Sequence, residues 1–268
     1  MKKQISIIGC GWLGFPLAEF LVASDYKIKG STTSKNKLQT LNQSAIESFL
    51  ITINEKGIAG NHYDLLSGSD IAIINIPPGL RKNPNKNHVV EIEHLIKAIE
   101  AHNIKYVIYI SSTSVFKDKN NFPLIDGKTQ PNATSNTAKQ LIAIEELLKK
   151  SNLNTTILRF GGLFDEQRHP ANYLSGKKNI PNPNAPINLI HKKDCINIIS
   201  LILKKEIYNV SLNAVNPKHP QKKAYYTNYC KQHHLELPEF NYDEISKGKT
   251  IESSQLENLL NYTFKQAL

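Results

Sequence analysis

Gly9, Gly11 and Gly14 follow a short apolar run ending in Ile7-Ile8 and open a helically patterned stretch, Trp12–Ala23. Strand, tight turn and helix in that order direct a chain toward an open α/β sheet. The first glycine permits a sharp turn after the strand, the second lets backbone approach a pyrophosphate, and the third lets helix pack closely on sheet. Phosphates bound there would meet the positive end of the helix. Gly9, Gly11, Trp12, Leu13 and Gly14 are therefore the first expected cofactor-binding residues.

The next 150 residues continue the alternation. Strands are expected at Ile5–Ile8, Tyr26–Gly30, Phe49–Ile53, Ile71–Ile76, Tyr106–Ile110 and Thr155–Leu158. Helices are expected over Trp12–Ala23, over Val89–Ala101 with Val89, Ile92, Leu95, Ile96 and Ile99 on one stripe, and from a cap at Thr134 or Ser135. Short β-rich runs separated by helices specify a Rossmann-type doubly wound parallel sheet covered on both faces. After Arg159 the pattern loosens through Gly161-Gly162 and a proline-rich stretch at 181–186, then resumes with a helix at Cys195–Leu203, a strand at Tyr208–Asn213, a helix at Lys222–His233 and a mixed tail. The expected organisation is a nucleotide-binding domain over 1–160 and a small mixed α/β substrate lobe over 161–268, continuous with it.

Composition narrows the function classes. With 268 residues, one extended unit suffices to bury a sizeable core. No run of about 18 apolar residues is present to span a bilayer, and Met-Lys-Lys leads directly into a strand. The expectation is a cytoplasmic protein without membrane association. Three cysteines, Cys10, Cys195 and Cys230, lack CxxC spacing, which suits reduced thiols and implies no metal site. The net charge of +10 is spread over dispersed lysine pairs such as Lys149-Lys150 and Lys177-Lys178, not gathered into a basic block. That argues against nucleic acid and for a field that favours anionic small molecules.

Where an NAD-selective site places Asp or Glu, about 20 residues beyond the glycines, this chain reads Lys29-Gly30-Ser31-Thr32-Thr33-Ser34-Lys35. Hydroxyls of Ser31, Thr32 and Thr33 with the charge of Lys35 suit a 2′-phosphate, so NADP is favoured and NAD remains the alternative. The rigid Ile76-Pro77-Pro78-Gly79 segment after the fourth strand is expected to border the same cofactor.

The run Ser111-Ser112-Thr113-Ser114-Val115-Phe116, the segment Arg159-Phe160-Gly161-Gly162 and Ile190-His191-Lys192-Lys193-Asp194 follow in that order. With them the chain resembles the extended short-chain dehydrogenase/reductases, and more narrowly the YeeZ-like atypical members described as NAD(P)-dependent epimerase/dehydratase-like. The resemblance implies hydride exchange between nicotinamide and a hydroxyl- or carbonyl-bearing small molecule, a nucleotide sugar being one such class. It implies that Ser112 polarises the substrate oxygen, that Ser111 adjoins the cofactor, and that Thr113, Arg159 and His191 meet the substrate. One departure is chemical. The family's Tyr-x-x-x-Lys base is missing, since no tyrosine lies between Tyr109 and Tyr173. If Lys139 is the motif lysine, Ser135 takes the tyrosine position; by spacing from Ser112, Thr137 takes it. Neither hydroxyl is an adequate proton carrier near neutral pH without another base. A non-catalytic NADP-binding sensor or scaffold is accordingly the rival to an oxidoreductase. The apolar third and late helices are compatible with a homodimer as well as with packing on the sheet.

Overall fold

A computed structural model describes residues 2–268. Strands β1 (Gln4–Ile8), β2 (Lys27–Thr32), β3 (Glu47–Leu50), β4 (Ile71–Ile74), β5 (Tyr106–Ser112), β6 (Asn154–Phe160) and β7 (Val210–Ala214) form a seven-stranded parallel sheet. Its order is β7-β6-β5-β4-β1-β2-β3. The chain winds outward from β1 to β3 and then crosses back to β4 on the other side of β1. The carboxyl ends of β1 and β4 therefore flank the topological switch point, where ligands of such sheets bind.

The central strands β1 and β4 are buried on both faces, whereas the edge strand β3 is half-buried to exposed. In β1, Ile5, Ile7, Ile8 and the intervening Ser6 are all within 1% of complete burial. Ser6 tolerates this because its hydroxyl donates to the Leu65 carbonyl at 2.6 Å and meets Ser69 Oγ at 2.7 Å. The covering helices of the first unit include α1 (Gly14–Ala23), α2 (Lys37–Gln43), α3 (His88–Ala101) and α4 (Asn136–Lys150). Gly14, Leu17, Ala18 and Leu21 make the buried stripe of α1. Of the two capping hydroxyls expected for α4, Ser135 is the one used: its Oγ accepts the Ala138 amide at 3.3 Å, a contact worth about 1 kcal/mol.

Two compact units emerge, each assembled from three segments. The first comprises Met1–Ser112, Ser135–Leu158 and Ile199–Ser211; the second comprises Thr113–Thr134, Arg159–Ile198 and Leu212–Leu268. The second unit has its own cluster of Phe164, Ala171, Ile187, Leu189, Tyr226 and Cys230. Within it Gly162–Phe164 pairs in parallel with Leu189–His191, and Thr250–Ile251 with Leu124–Ile125. The buried Lys249 ammonium ties its loops by donating to the Phe116 carbonyl at 2.7 Å and to Asp118 Oδ1 at 2.9 Å.

The expected elements recur with shifted ends. β2 and β5 each run two residues further than the pattern suggested, to Thr32 and Ser112; in β2 the ladder with β3 continues through Ser31 and Thr32 while the side chains become polar. The segment read as one strand over Phe49–Ile53 divides into β3 and a hairpin of Thr52–Asn54 with Gly57–Ala59. The mixed tail contains a helix, Ser254–Leu260, and is fastened where Asp194 accepts the Tyr262 hydroxyl at 2.5 Å and the Lys265 amide at 3.2 Å.

Candidate functional site

The chain leaves β1 through Gly9, whose φ of +108° disfavours any L side chain. A Cβ there would lie 2.4 Å from the Asn75 carbonyl oxygen, and one on Gly14 would lie 2.1 Å from the Gly9 carbonyl oxygen. Nothing lies within 4 Å of the equivalent position on Gly11. Two glycines are thus demanded by packing, while the middle one faces open space from which a ligand can reach backbone. Neighbouring strand ends hold the turn. Ser31 Oγ accepts the Gly9 amide at 3.0 Å and the Ser31 carbonyl accepts the Cys10 amide at 2.7 Å. From the other side, Asn75 donates through Nδ2 to the Gly9 carbonyl at 3.0 Å.

A cavity of about 290 Å³ opens beside this turn, near the lower end of the range for small-molecule sites. Its walls are Gly9–Gly11, the end of β2 with Thr33, Ser34 and Lys37, the apolar pair Ile51 and Ile53, and Asn75–Pro77 with Lys86. No Asp or Glu is among the lining residues. Of the residues expected to bind cofactor, Gly9, Gly11, Ser31, Thr32, Thr33, Ile76 and Pro77 line it. Ser31 and Thr32 are buried, with oxygens already engaged; Thr32 Oγ1 accepts the Ser34 amide at 3.1 Å. Thr33 is exposed. Trp12, Leu13 and Gly14 stand at the start of α1 and outside the lining, as does Pro78. Lys35 is exposed and does not reach the cavity. A turn closed by the Lys37 amide on the Ser34 carbonyl intervenes, and Lys37 borders the cavity in its stead. The Cys10 thiol in this wall is pushed up to about 12 by burial, which removes it as a nucleophile.

At the end of β5 the two serines differ. Ser111 is buried and donates to Glu145 Oε1 at 2.7 Å, and Glu145 is itself fully buried on α4. Ser112 is half-buried at the last position of the strand. Tyr109, three residues earlier, is fully enclosed, and burial followed by the nearby Glu145 pushes its phenol well above the usual range. It is no proton carrier. Ser135 is spent as the α4 cap, Thr137 is half-buried in the first turn, and Lys139 is exposed on that turn.

The other expected residues belong to the second unit. Thr113 is buried in a 3-10 turn, and Arg159 is buried with its guanidinium 5.2 Å from the Phe116 ring centroid. His191 accepts the Lys193 amide on Nδ1 at 3.1 Å and places Nε2 3.5 Å from Glu166. It borders a cavity of about 420 Å³ shared with Phe164, His169, Tyr229 and His233. There the Tyr229 ring lies between His169, at 3.7 Å, and His233, at 4.0 Å. His169 Nδ1 accepts the Ala171 amide at 3.2 Å, so Nε2 carries the proton donated to the Tyr225 hydroxyl at 2.9 Å. Burial, with a smaller contribution from His233, lowers His169 to about 4. Among the described residues, no group of three or more His, Cys, Asp or Glu side chains is placed to hold a metal ion, and no helix is long and apolar enough to cross a membrane.

Asn75, Lys37 and Lys86 were not singled out by the sequence pattern. Asn75 follows β4, one of the two strands that the sheet order sets beside β1, and only that order reveals its role.

Residues 9–188 match the NAD(P)H-binding family. Protein YeeZ of Escherichia coli K12 is 29% identical over 266 residues, 98% of this chain and 96% of that protein. Among solved structures, UDP-N-acetylglucosamine 4-epimerase from Bacillus cereus superposes with a TM-score of 0.78 at 16% identity, over 99% of this chain and 92% of that one. MoeE5 in complex with UDP-glucose and NAD superposes with a TM-score of 0.80 at 16% identity, over 99% of this chain and 94% of that one. At such identities the structural likeness speaks for the fold.

Proposed function

The chain belongs to the NAD(P)H-binding family, and on that premise we propose that it holds NADP at the β1–β4 switch point and acts as an oxidoreductase of the epimerase/dehydratase-like type. The observation that carries this reading is the open space over Gly11, set between two sterically required glycines and beside a cavity with lysines and no carboxylate in its lining. Residues 9–14 would take the pyrophosphate on backbone and on the positive end of α1. Thr33, Ser34 and Lys37 would meet the adenosine ribose, with Ile51 and Ile53 giving an apolar wall. When bound, the nicotinamide supplies or accepts hydride. Ser112 would polarise the substrate oxygen, with Lys139 nearby in sequence to the α4 cap. Thr113, Arg159 and His191 are carried as substrate-binding residues on the strength of the family resemblance. Nucleotide sugars are the favoured substrate class, as MoeE5 binds UDP-glucose with NAD.

One observation favours the non-catalytic alternative. The family's tyrosine is missing and the Ser135 hydroxyl is occupied as a helix cap. The two readings separate in one series. Thermal stabilisation by NADPH beyond that by NADH at equal concentration is expected under both. Oxidation of NADPH with a panel of nucleotide sugars, sugars and aldehydes is expected only of the enzyme, and Ser112→Ala should then lower turnover while leaving NADPH affinity nearly unchanged. Binding without turnover across the panel would favour the sensor. Absence of dinucleotide binding would overturn both.

A further inference from the structure

Two cations border the cofactor cavity, Lys37 from α2 and Lys86 from the segment that precedes α3. Lys86 comes from neither the glycine turn nor the β2 end, yet it is the more firmly placed. Its ammonium lies 2.8 Å from Glu91 Oε2, and the same oxygen meets His88 Nδ1 at 2.8 Å. His88 is fully buried and Glu91 nearly so, whereas the Lys86 side chain keeps 22% exposure. The backbone is pinned as well. Gln140 donates to the Lys86 carbonyl at 3.0 Å and accepts the His88 amide at 2.7 Å, while Asn136 donates to the Pro84 carbonyl at 3.0 Å. The Lys86 ammonium reaches the loop after β4, 3.6 Å from where a Cβ on Gly79 would stand.

We propose that Lys86 is a ligand of the adenosine 2′-phosphate of NADP, with Glu91 as the residue that positions it. This rests on the dinucleotide-binding reading given above. An ammonium has three donors, and Glu91 takes one. Glu91, which stands behind Lys86 and outside the lining, offsets only one of the two positive charges, and the lining itself contains no carboxylate. The remaining positive potential suits an added phosphate, which carries more than one negative charge near neutral pH. The pyrophosphate is already served by the turn and helix start, whereas Lys86 shares its cavity with Thr33, Ser34 and Lys37. Because its side chain is already held, Lys86 loses little rotamer freedom when it binds.

The test is calorimetric titration of the whole protein with NADPH and NADH, and with the fragments adenosine 2′,5′-bisphosphate and AMP. Lys86→Met combined with Glu91→Gln removes both charges, so no buried carboxylate is left unpaired. This variant should weaken NADPH and the bisphosphate by about tenfold or more, the scale of a charge-assisted phosphate contact. NADH and AMP should stay within about twofold, which also verifies a folded site. Lys86→Arg, which keeps the charge, should retain most of the NADPH affinity. Equal losses for NADPH and NADH, or no loss for either, would overturn the assignment of Lys86 and leave cofactor binding standing. Wild-type protein that binds both dinucleotides equally well would overturn NADP preference and the assignment together. Wild-type protein that binds neither would overturn the cofactor reading itself.

Discussion

The Asn75 side chain donates to the Gly9 carbonyl at 3.0 Å while the Asn75 backbone carbonyl stands where a Cβ on Gly9 would collide. The ends of β1 and β4 are therefore locked by the residue that follows each strand. Asn75→Ala removes the donor and should cost about 1 kcal/mol of stability, measurable by denaturant unfolding, and should weaken NADPH binding. Asn75→Asp should weaken it further, because a carboxylate offers the Gly9 carbonyl no donor and sets a negative charge in a cavity proposed for phosphates.

The three glycines should respond differently to alanine. Gly9→Ala and Gly14→Ala drive a methyl into backbone oxygen at 2.4 and 2.1 Å, so each should destabilise the fold by about 3 kcal/mol. Gly11→Ala meets nothing within 4 Å and should keep wild-type stability to within about 0.5 kcal/mol. Its NADPH affinity should nonetheless fall. Equal stability losses at all three positions would refute this division.

Ser111 and Glu145 make a buried pair between β5 and α4. Ser111→Ala withdraws a donor from an enclosed carboxyl and should destabilise by about 1–3 kcal/mol. Ser112→Ala, one residue further and half-buried, should cost much less. Urea midpoints of the two variants check the contrast.

His169 gives the second unit a pH dependence of known sign. Its value falls from an unfolded value of about 6.5 to about 4 in the fold, chiefly through burial. The neutral ring is the folded form, and its Nδ1 lone pair caps the Ala171 amide. Its stabilisation is fully present above pH 6.5 and is lost as pH falls from there through about 4. His169→Asn retains a capping acceptor without the titration. Wild type should lose roughly 1–2 kcal/mol more than this variant between about pH 7 and pH 5. Parallel pH profiles would contradict the assignment.

Local order supplied a great deal. An apolar run followed by Gly9, Gly11 and Gly14, and the regular alternation up to Thr155–Leu158, are properties of adjacent residues, so they specify strands, a turn and helix faces without any long-range contact. Of the stripe Val89, Ile92, Leu95, Ile96 and Ile99, the last four are buried as their spacing requires and Val89 is half-buried. The absence of a carboxylate after β2 is likewise visible in the linear text. Tertiary structure decided what depended on residues distant in sequence. Lys37 in place of Lys35 follows from a turn whose direction side-chain chemistry alone does not set. Asn75 meets Gly9 across 66 positions only because β4 returns beside β1. Lys86, His88 and Glu91 carry no signal in the linear sequence that sets them apart; packing buries the latter two, and a buried carboxylate must find its partners. Periodicity reports which face a residue occupies, whereas charge pairing depends on which elements the sheet order brings together.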